Sequence, residues 1–384
     1  MGDCKSMASN SNRIIWLDGI KGISCLFIIL HHFFLTAAPA IHYGRSREST
    51  FFGLDYFLSE SPFGFFLNGN FLVNVFVFIT GFVITYQILH MDKNRFGVFN
   101  VKRYLKLAFP IFSFCILYWI FRKLGAIHGE SFSLKHAVID GLFRILFLGE
   151  HDMNGVFWMM HYIFLGGIFV SVTASCSWFL SKAKTIAITA LVIFFLLIQR
   201  QWLYTAVFSG SLLCLVFYAG LSEKAGKYKF VFSVLLIPAI ILGNYPTGYF
   251  PSNFYRFITL SFSPVESSYI WHLCGAVLAV VSISCIPSIQ KFFELNILQR
   301  LSKISFLMYI FHPSAINLLK PVYDFTYEKT GLQFFSNFIY LGFILLVLII
   351  FCELFNRYVN SIFNRVVNFF LQRDASSLSE KNCQ

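Results

Sequence analysis

Asp18, Lys21, His31 and His32 stand in or beside one apolar run near the N-terminus, LDGIKGISCLFIILHHFF. A charged side chain at the centre of a bilayer costs roughly 2.5–3.5 kcal/mol on insertion scales, so such a group is rarely idle. His32 follows Lys21 by eleven residues, which on a helix puts it about 20° away around the axis and about 16 Å along it. His31 points about 80° to one side of that line. With Lys21 at the headgroups, His32 falls near the middle of the membrane. A neutral imidazole there suits a general base, because burial disfavours its charged form and leaves it able to accept a proton. A hydrogen-bonded structural histidine would leave the same trace. Asp18 joins His32 as a candidate catalytic group, placed either to hold Lys21 or to cap the first helix.

Three further constellations have the right residue types. Lys102, Arg103 and Lys106 lie in FNVKRYLKLAFP, where a later span leaves the membrane. Arg103 and Lys106 share a helix face, and their charge and donors suit phosphate groups. An ordinary basic flank of a span is the competing reading. Ser305, Tyr309 and His312 in LSKISFLMYIFHP fall at i, i+4 and i+7 and form one polar stripe on an apolar helix. Such a stripe faces protein or water, and hydrogen bonding between helices accounts for it as well as catalysis does. Trp158 and His161 in GVFWMMHYIFLGG stand where another span begins, as interfacial residues or on the side of a second substrate. The adjacent Gly166 and Gly167 permit close helix packing.

The elements that must position these groups are membrane helices. The chain is 57% hydrophobic and 12% charged, against about 25% charged in a soluble domain. It has room for about ten apolar spans of bilayer length, near 17–36, 70–90, 104–121, 157–180, 184–199, 202–221, 229–243, 267–288, 303–319 and 333–355. The stretch 138–149 is apolar but carries Asp140 and Arg144, and reads as a re-entrant or interfacial piece. With the N-terminus in the cytoplasm, about two thirds of the 30 Lys and Arg residues fall on cytoplasmic segments. The expected fold is therefore all-α, a polytopic membrane helix bundle with both termini inside. A polar tail over 1–12 precedes a membrane domain over 13–356, and a basic and polar tail over 357–384 follows it.

The charge of +12 suits the excess of Lys and Arg on the cytoplasmic face, and no long basic run argues for nucleic acid. Nine scattered cysteines without a C-x-x-C give no support for zinc or dithiol chemistry. The longest loops lie outside, over 37–69, 122–156 and 244–266. The third, with GNYPTGYFPSNFYRF, reads either as an aromatic belt at the interface or as a sugar-binding surface.

Taken in order, these pieces resemble the integral-membrane acyltransferase family 3, over about residues 13–355. LDGIKGISCLFIILHH resembles the family's opening L-D-G-L-R-G with a histidine eleven positions after its basic residue, which maps onto Lys21 and His32. NVFVFITGFVITY resembles its D-x-F-F-x-x-S-G-F-x-I, FNVKRYLKLAFP its F-x-x-R-R-x-x-R-x-x-P, and ISFLMYIFHP its I-S-Y-x-L-Y-L-x-H-x-P. Lys21 and Lys106 stand where arginine is usual, and Ile163 stands at the glutamate of the family's W-x-x-x-x-E.

The resemblance implies an O-acyltransferase of the plasma (inner) membrane that acylates sugars and related hydroxyl compounds. Its donor would be acyl-CoA, by default acetyl-CoA, with no resident cofactor and no metal. Lys21, Arg103 and Lys106 would hold the donor phosphates and His32 would be the base. The acceptor would be a cell-surface or lipid-linked glycan. Two other readings carry the same residues: a transporter or channel with midplane ionisable groups, and a divergent member that binds the acyl donor without this transfer.

Overall fold

The structure, a computed structural model, describes residues 14–125, 132–221, 228–247, 251, 254–260 and 263–367. The N-terminal tail expected over 1–12 and the last part of the C-terminal tail lie outside the described residues. Among the described residues every regular element is helical. Each of the ten expected spans falls on a helix: α1 (Ile15–Ala37), α2 (Gly69–Leu89), α3 (Phe96–Lys123), α4 (Trp158–Ser175), α5 (Lys182–Ile198), α6 (Trp202–Val216), α7 (Lys229–Gly243), α8 (Pro264–Ser284), α9 (Asn296–Leu318) and α10 (Gln333–Leu354). Seven of these are both long and apolar enough to cross a membrane, α6 by virtue of its continuation to Gly220, which makes a span of 19 residues. The others are α5 and α7, with 17 and 15 residues, and α9, whose 23 residues include a polar first turn and the Ser305–His312 stripe. At 1.5 Å per residue, α5 and α7 reach about 22–26 Å, short of a hydrocarbon core of about 30 Å. The chain from Phe355 stays helical to Val367.

Local chemistry sets the helix ends near the site. Pro39 pushes Ala38 out of the helical region, to φ −148°, so α1 stops there. Asn68 begins α2, its side chain accepting from the Phe71 amide at 3.3 Å. The same side chain donates to the Tyr245 carbonyl at 3.1 Å and so ties two loops together. Ser263 caps α8 in the same way, with Pro264 at the first helical position.

The centre of the bundle is α2, 72% buried over its apolar window and packed on α1, α4, α6 and α8. Gly81 of α2 faces the Val207 backbone and Gly210 of α6 faces the Phe78 backbone, so a Cβ at either would strike main chain. Small residues at such a crossing let dispersion and weak polar contacts accumulate, which is what holds helices together in lipid. The other flank of the site is formed by α1 packed along α9. The stretch 138–149 is a broken helix (Leu134–Ile139, a π-turn, Ile145–Leu148) packed on α3. Its two charges are paired, Arg144 bonding Asp140 at 3.0 Å and Glu150 at 2.8 Å.

The loop 37–69 is folded. Burial pushes the Asp55 carboxyl up, but hydrogen bonds from Ser49 and from the Thr50 and Tyr56 amides outweigh it and hold the group below the usual carboxylate range. In the 244–266 loop, Tyr245 and Tyr255 are wholly buried, while Phe254 and Phe257 are exposed. The two tyrosines therefore belong neither to an interfacial belt nor to an exposed sugar platform. Their rings pack edge to face at 5.7 Å and form the loop's own core.

Candidate active site

At the end of the bundle where α1 begins and α2 ends lies a cavity of about 540 Å³. Lys21 of α1 and Lys102, Arg103 and Lys106 of α3 line it, with Thr80 and Gln87 of α2, Ile163 of α4 and Ser302 and Ser305 of α9. The basic residues that sequence reading assigned to two separate motifs thus share one space. They do so because α3 is helical from Phe96, two turns before its apolar run. Those turns carry Lys102 and Arg103 against the rim, and Lys106 follows one turn further on.

The cations are differently held. Lys21 forms an ion pair with Asp18 at 2.6 Å, one turn away on the same helix. The N-cap of α1 is Ile14, without a side-chain bond, so Asp18 holds Lys21 and does not cap. Asp18 and His32 sit at opposite ends of α1, about 21 Å apart along its axis. The structure does not bring these two candidate catalytic groups together. Arg103 donates from Nη2 to the Ile163 carbonyl, and its Nε is buried without a partner. No carboxylate pairs with Arg103 among the described residues. Gly167 makes room for its guanidinium, so that glycine serves a side chain and not a helix crossing. Gly166 packs on Val207 and Tyr204 of α6, as a crossing requires.

Further into the bundle the imidazoles form a row. The His32 and His312 ring centroids are 4.8 Å apart, His31 and His32 are 5.0 Å apart edge to face, and His31 and His42 are 4.3 Å apart. Three of these rings are fixed through Nδ1. His32 bonds the Ile28 carbonyl at 2.9 Å, His31 the Leu67 carbonyl at 2.8 Å and His312 the Tyr309 carbonyl at 2.8 Å. A carbonyl only accepts, so each Nδ1 carries the hydrogen and each Nε2 is left bare when the ring is neutral. The Gly69 amide, 3.2 Å from His31 Nδ1, is then not that nitrogen's donor.

The His-Pro pair accounts for the orientation of His312. Pro313 has no N–H to give the Tyr309 carbonyl in the helix, and the His312 ring takes that acceptor instead. Its Nε2 is buried with no partner. The rest of the stripe divides its work: Tyr309 donates to the Val156 carbonyl at 2.8 Å, and Ser305 lines the basic cavity. Cys25 on α1 donates to the Ser305 carbonyl at 2.9 Å, which keeps α1 and α9 in register along the site.

A second, smaller cavity of about 140 Å³ opens at the other end of α1. His31 and His42 form one wall, and Asn68, Asn70, Asn244 and Thr247 form much of the rest. Burial lowers the His42 imidazole to about 4, with a bond to the His31 backbone opposing the shift, so the ring is neutral at pH 7. His42 was not legible as a site residue, because it lies on a short loop helix (Ala40–Tyr43) outside any apolar period. Trp158 and His161 line neither cavity. His161 is bonded to the Tyr204 hydroxyl at 2.9 Å within an aromatic group that includes Tyr162.

A bundle of apolar spans with a basic cavity at one end, a polar cavity at the other and a row of imidazoles between defines a multi-pass membrane protein. The family model described as an acyltransferase domain matches residues 14–357, and the chain belongs to the integral-membrane acyltransferase family 3. No curated protein and no solved structure matches it at a significant level. The protein is a membrane acyltransferase.

Proposed function

We propose that the protein transfers an acyl group, by default acetyl, from cytosolic acyl-CoA to a hydroxyl of a cell-surface or lipid-linked glycan at the plasma (inner) membrane, with His32 as general base. The single observation that carries this reading is the basic cavity. Lys21, Lys102, Arg103 and Lys106 converge on it, and among the described residues no carboxylate pairs with Arg103. A half-buried cation without a counter-ion is costly, and a phosphate group supplies the missing charge. Inorganic anions would meet the same need, but the cavity continues inward to Ser305 on α9. His312 lies seven residues beyond Ser305 on that helix, about 10 Å along the axis, and touches His32. The pantetheine arm of CoA crosses such a span.

In this reading the diphosphate stays at the rim with Lys21, Arg103 and Lys106, and Asp18 fixes Lys21. The thioester lies beside His32. The bare Nε2 of His32 takes the proton from the acceptor hydroxyl as its oxygen forms a bond to the acyl carbon. The carbon–sulfur bond breaks, and the thiolate leaves with that proton. His312 backs His32 and holds its ring plane; Tyr309 and Ser305 hold α9 in place.

The test is transfer of radiolabel from acetyl-CoA to hydroxyl acceptors by the purified protein. His32→Ala is expected to lower the rate by about 10²-fold or more, the usual worth of a general base. It should leave acetyl-CoA binding intact. Transfer at the normal rate by His32→Ala would contradict the assignment of the base. Solute flux in proteoliposomes without any acyl donor would contradict the reaction itself.

A further inference from the structure

The cavity of about 140 Å³ at the far end of α1 has a lining unlike that of the basic cavity. Among the described residues no Asp, Glu, Lys or Arg lines it. Its polar wall includes His31, His42, Asn68, Asn70, Asn244 and Thr247, contributed by α1, the loop after it, the start of α2 and the loop after α7. Each of these side chains can both donate and accept, and none carries a fixed charge when the imidazoles are neutral. An anionic ligand would find no counter-charge here and a cation no carboxylate. A neutral molecule with several hydroxyls would find donors and acceptors on every side.

The wall is built to stay open. Asn244 does not turn into the cavity to fill it; it donates to the Leu58 carbonyl at 3.1 Å and to the Ser61 carbonyl, which locks the loop over 54–61. Asn70 and Thr247 meet only through a long bond of 3.3 Å. Gly69 gives the His31 ring the space to lie against the start of α2. His42 Nε2 is buried with no hydrogen-bond partner. A buried polar atom left unpaired costs about 1–3 kcal/mol, so it calls for a ligand or an ordered water. A cavity needs roughly 10–15 Å³ to admit a single water. About 140 Å³ therefore exceeds one or two waters and suits a single sugar-sized ring.

We propose that this cavity binds one neutral polyhydroxyl ring of the acceptor, and that His31 is the positioning residue that links the bound ring to His32. The assignment rests on the acyltransferase reading for its role in the reaction, but not for the binding itself. The His31 ring touches His42 at 4.3 Å on the cavity side and His32 at 5.0 Å on the bundle side. In this arrangement His31 holds one hydroxyl of the ring, and a neighbouring hydroxyl of the same ring is the one that reaches His32. The donor reaches the same row from the basic cavity at the opposite end of α1. The two substrates then approach from opposite faces, and the neutral lining keeps acyl-CoA, with its charges, out of the acceptor cavity.

The experiment uses the full chain in nanodiscs, with methyl hexosides and methyl pentosides at high millimolar concentration as probes. Binding is read first, without turnover, as protection of histidines from diethyl pyrocarbonate followed by mass spectrometry. The expected result is that a glycoside slows modification of His31 and His42 several-fold and leaves exposed His151 unaffected. Equal modification with and without every glycoside overturns the cavity assignment, whatever the enzyme does. Transfer from acetyl-CoA is read second. His42→Ala and Asn70→Ala are expected to raise the KM for the glycoside about tenfold while the KM for acetyl-CoA stays within about twofold. His42→Asn, which restores an uncharged donor and acceptor, is expected to recover part of the loss. An unchanged acceptor KM in both alanine variants overturns the inference and leaves the proposed reaction standing. Protection without any transfer supports the cavity and overturns the reaction.

Discussion

At the scale of single residues, the position that departs most from the family pattern is also the most informative. Ile163 stands where the family carries glutamate. Its side chain lines the basic cavity, and its carbonyl accepts from Arg103. A glutamate there would meet the Arg103 guanidinium, which the proposed function gives to the donor phosphates. Ile163→Glu is therefore expected to neutralise Arg103 and to raise the KM for acetyl-CoA about tenfold, with turnover of the bound complex little changed. Donor titrations of the two proteins check this, and an unchanged donor KM would remove Arg103 from the phosphate site. His32, Lys21 and Arg103 were legible because helical phase and a basic rim are written in spacing. The bare Nε2 of His312 was legible only in part: the His-Pro pair is visible, but its effect on the Tyr309 carbonyl needs the fold. His42 gave no signal at all, because its partner His31 is brought to it by a turn at Pro39 and not by any period.

At the scale of elements, the site depends on close crossings. Gly81 and Gly210 let α2 and α6 meet through their backbones, and α2 carries Thr80 and Gln87 into the basic cavity. Overpacking a tight contact costs about 1–3 kcal/mol, and main chain has less room to yield than side chains. Gly81→Val is expected to lower the Tm of the purified protein by several degrees and to weaken acetyl-CoA binding. Gly97→Ala, where a Cβ meets open space, should leave both unchanged. Thermal melts with and without acetyl-CoA decide it, and an unshifted Gly81→Val protein would show that the crossing does not set the cavity. The ten helices were legible because hydrophobic runs of that length have few alternatives. Their ends were less so: α3 and α9 begin about two turns earlier than their apolar runs, where polar turns continue the helix along the interface. The buried tyrosines at 245 and 255 were misjudged as surface aromatics, because composition cannot tell a loop with its own core from a belt.

At the scale of the whole molecule, α1 is the shared axis. Its first turns hold Asp18 and Lys21 at the basic cavity, and its last turns hold His31 and His32 beside α9 and the loop that carries His42. The excess of Lys and Arg assigns the basic end to the cytoplasm, where acyl-CoA is found. The neutral cavity then opens on the opposite face, beneath the long loops. The central claim is that donor and acceptor approach from opposite faces and meet at His32. It is tested most directly in proteoliposomes of known protein orientation, with radiolabelled acetyl-CoA confined to the basic face and methyl glycosides confined to the other. The account predicts labelled glycoside on the far side, lost in His32→Ala. Labelling only when both substrates are supplied on the same face would contradict it.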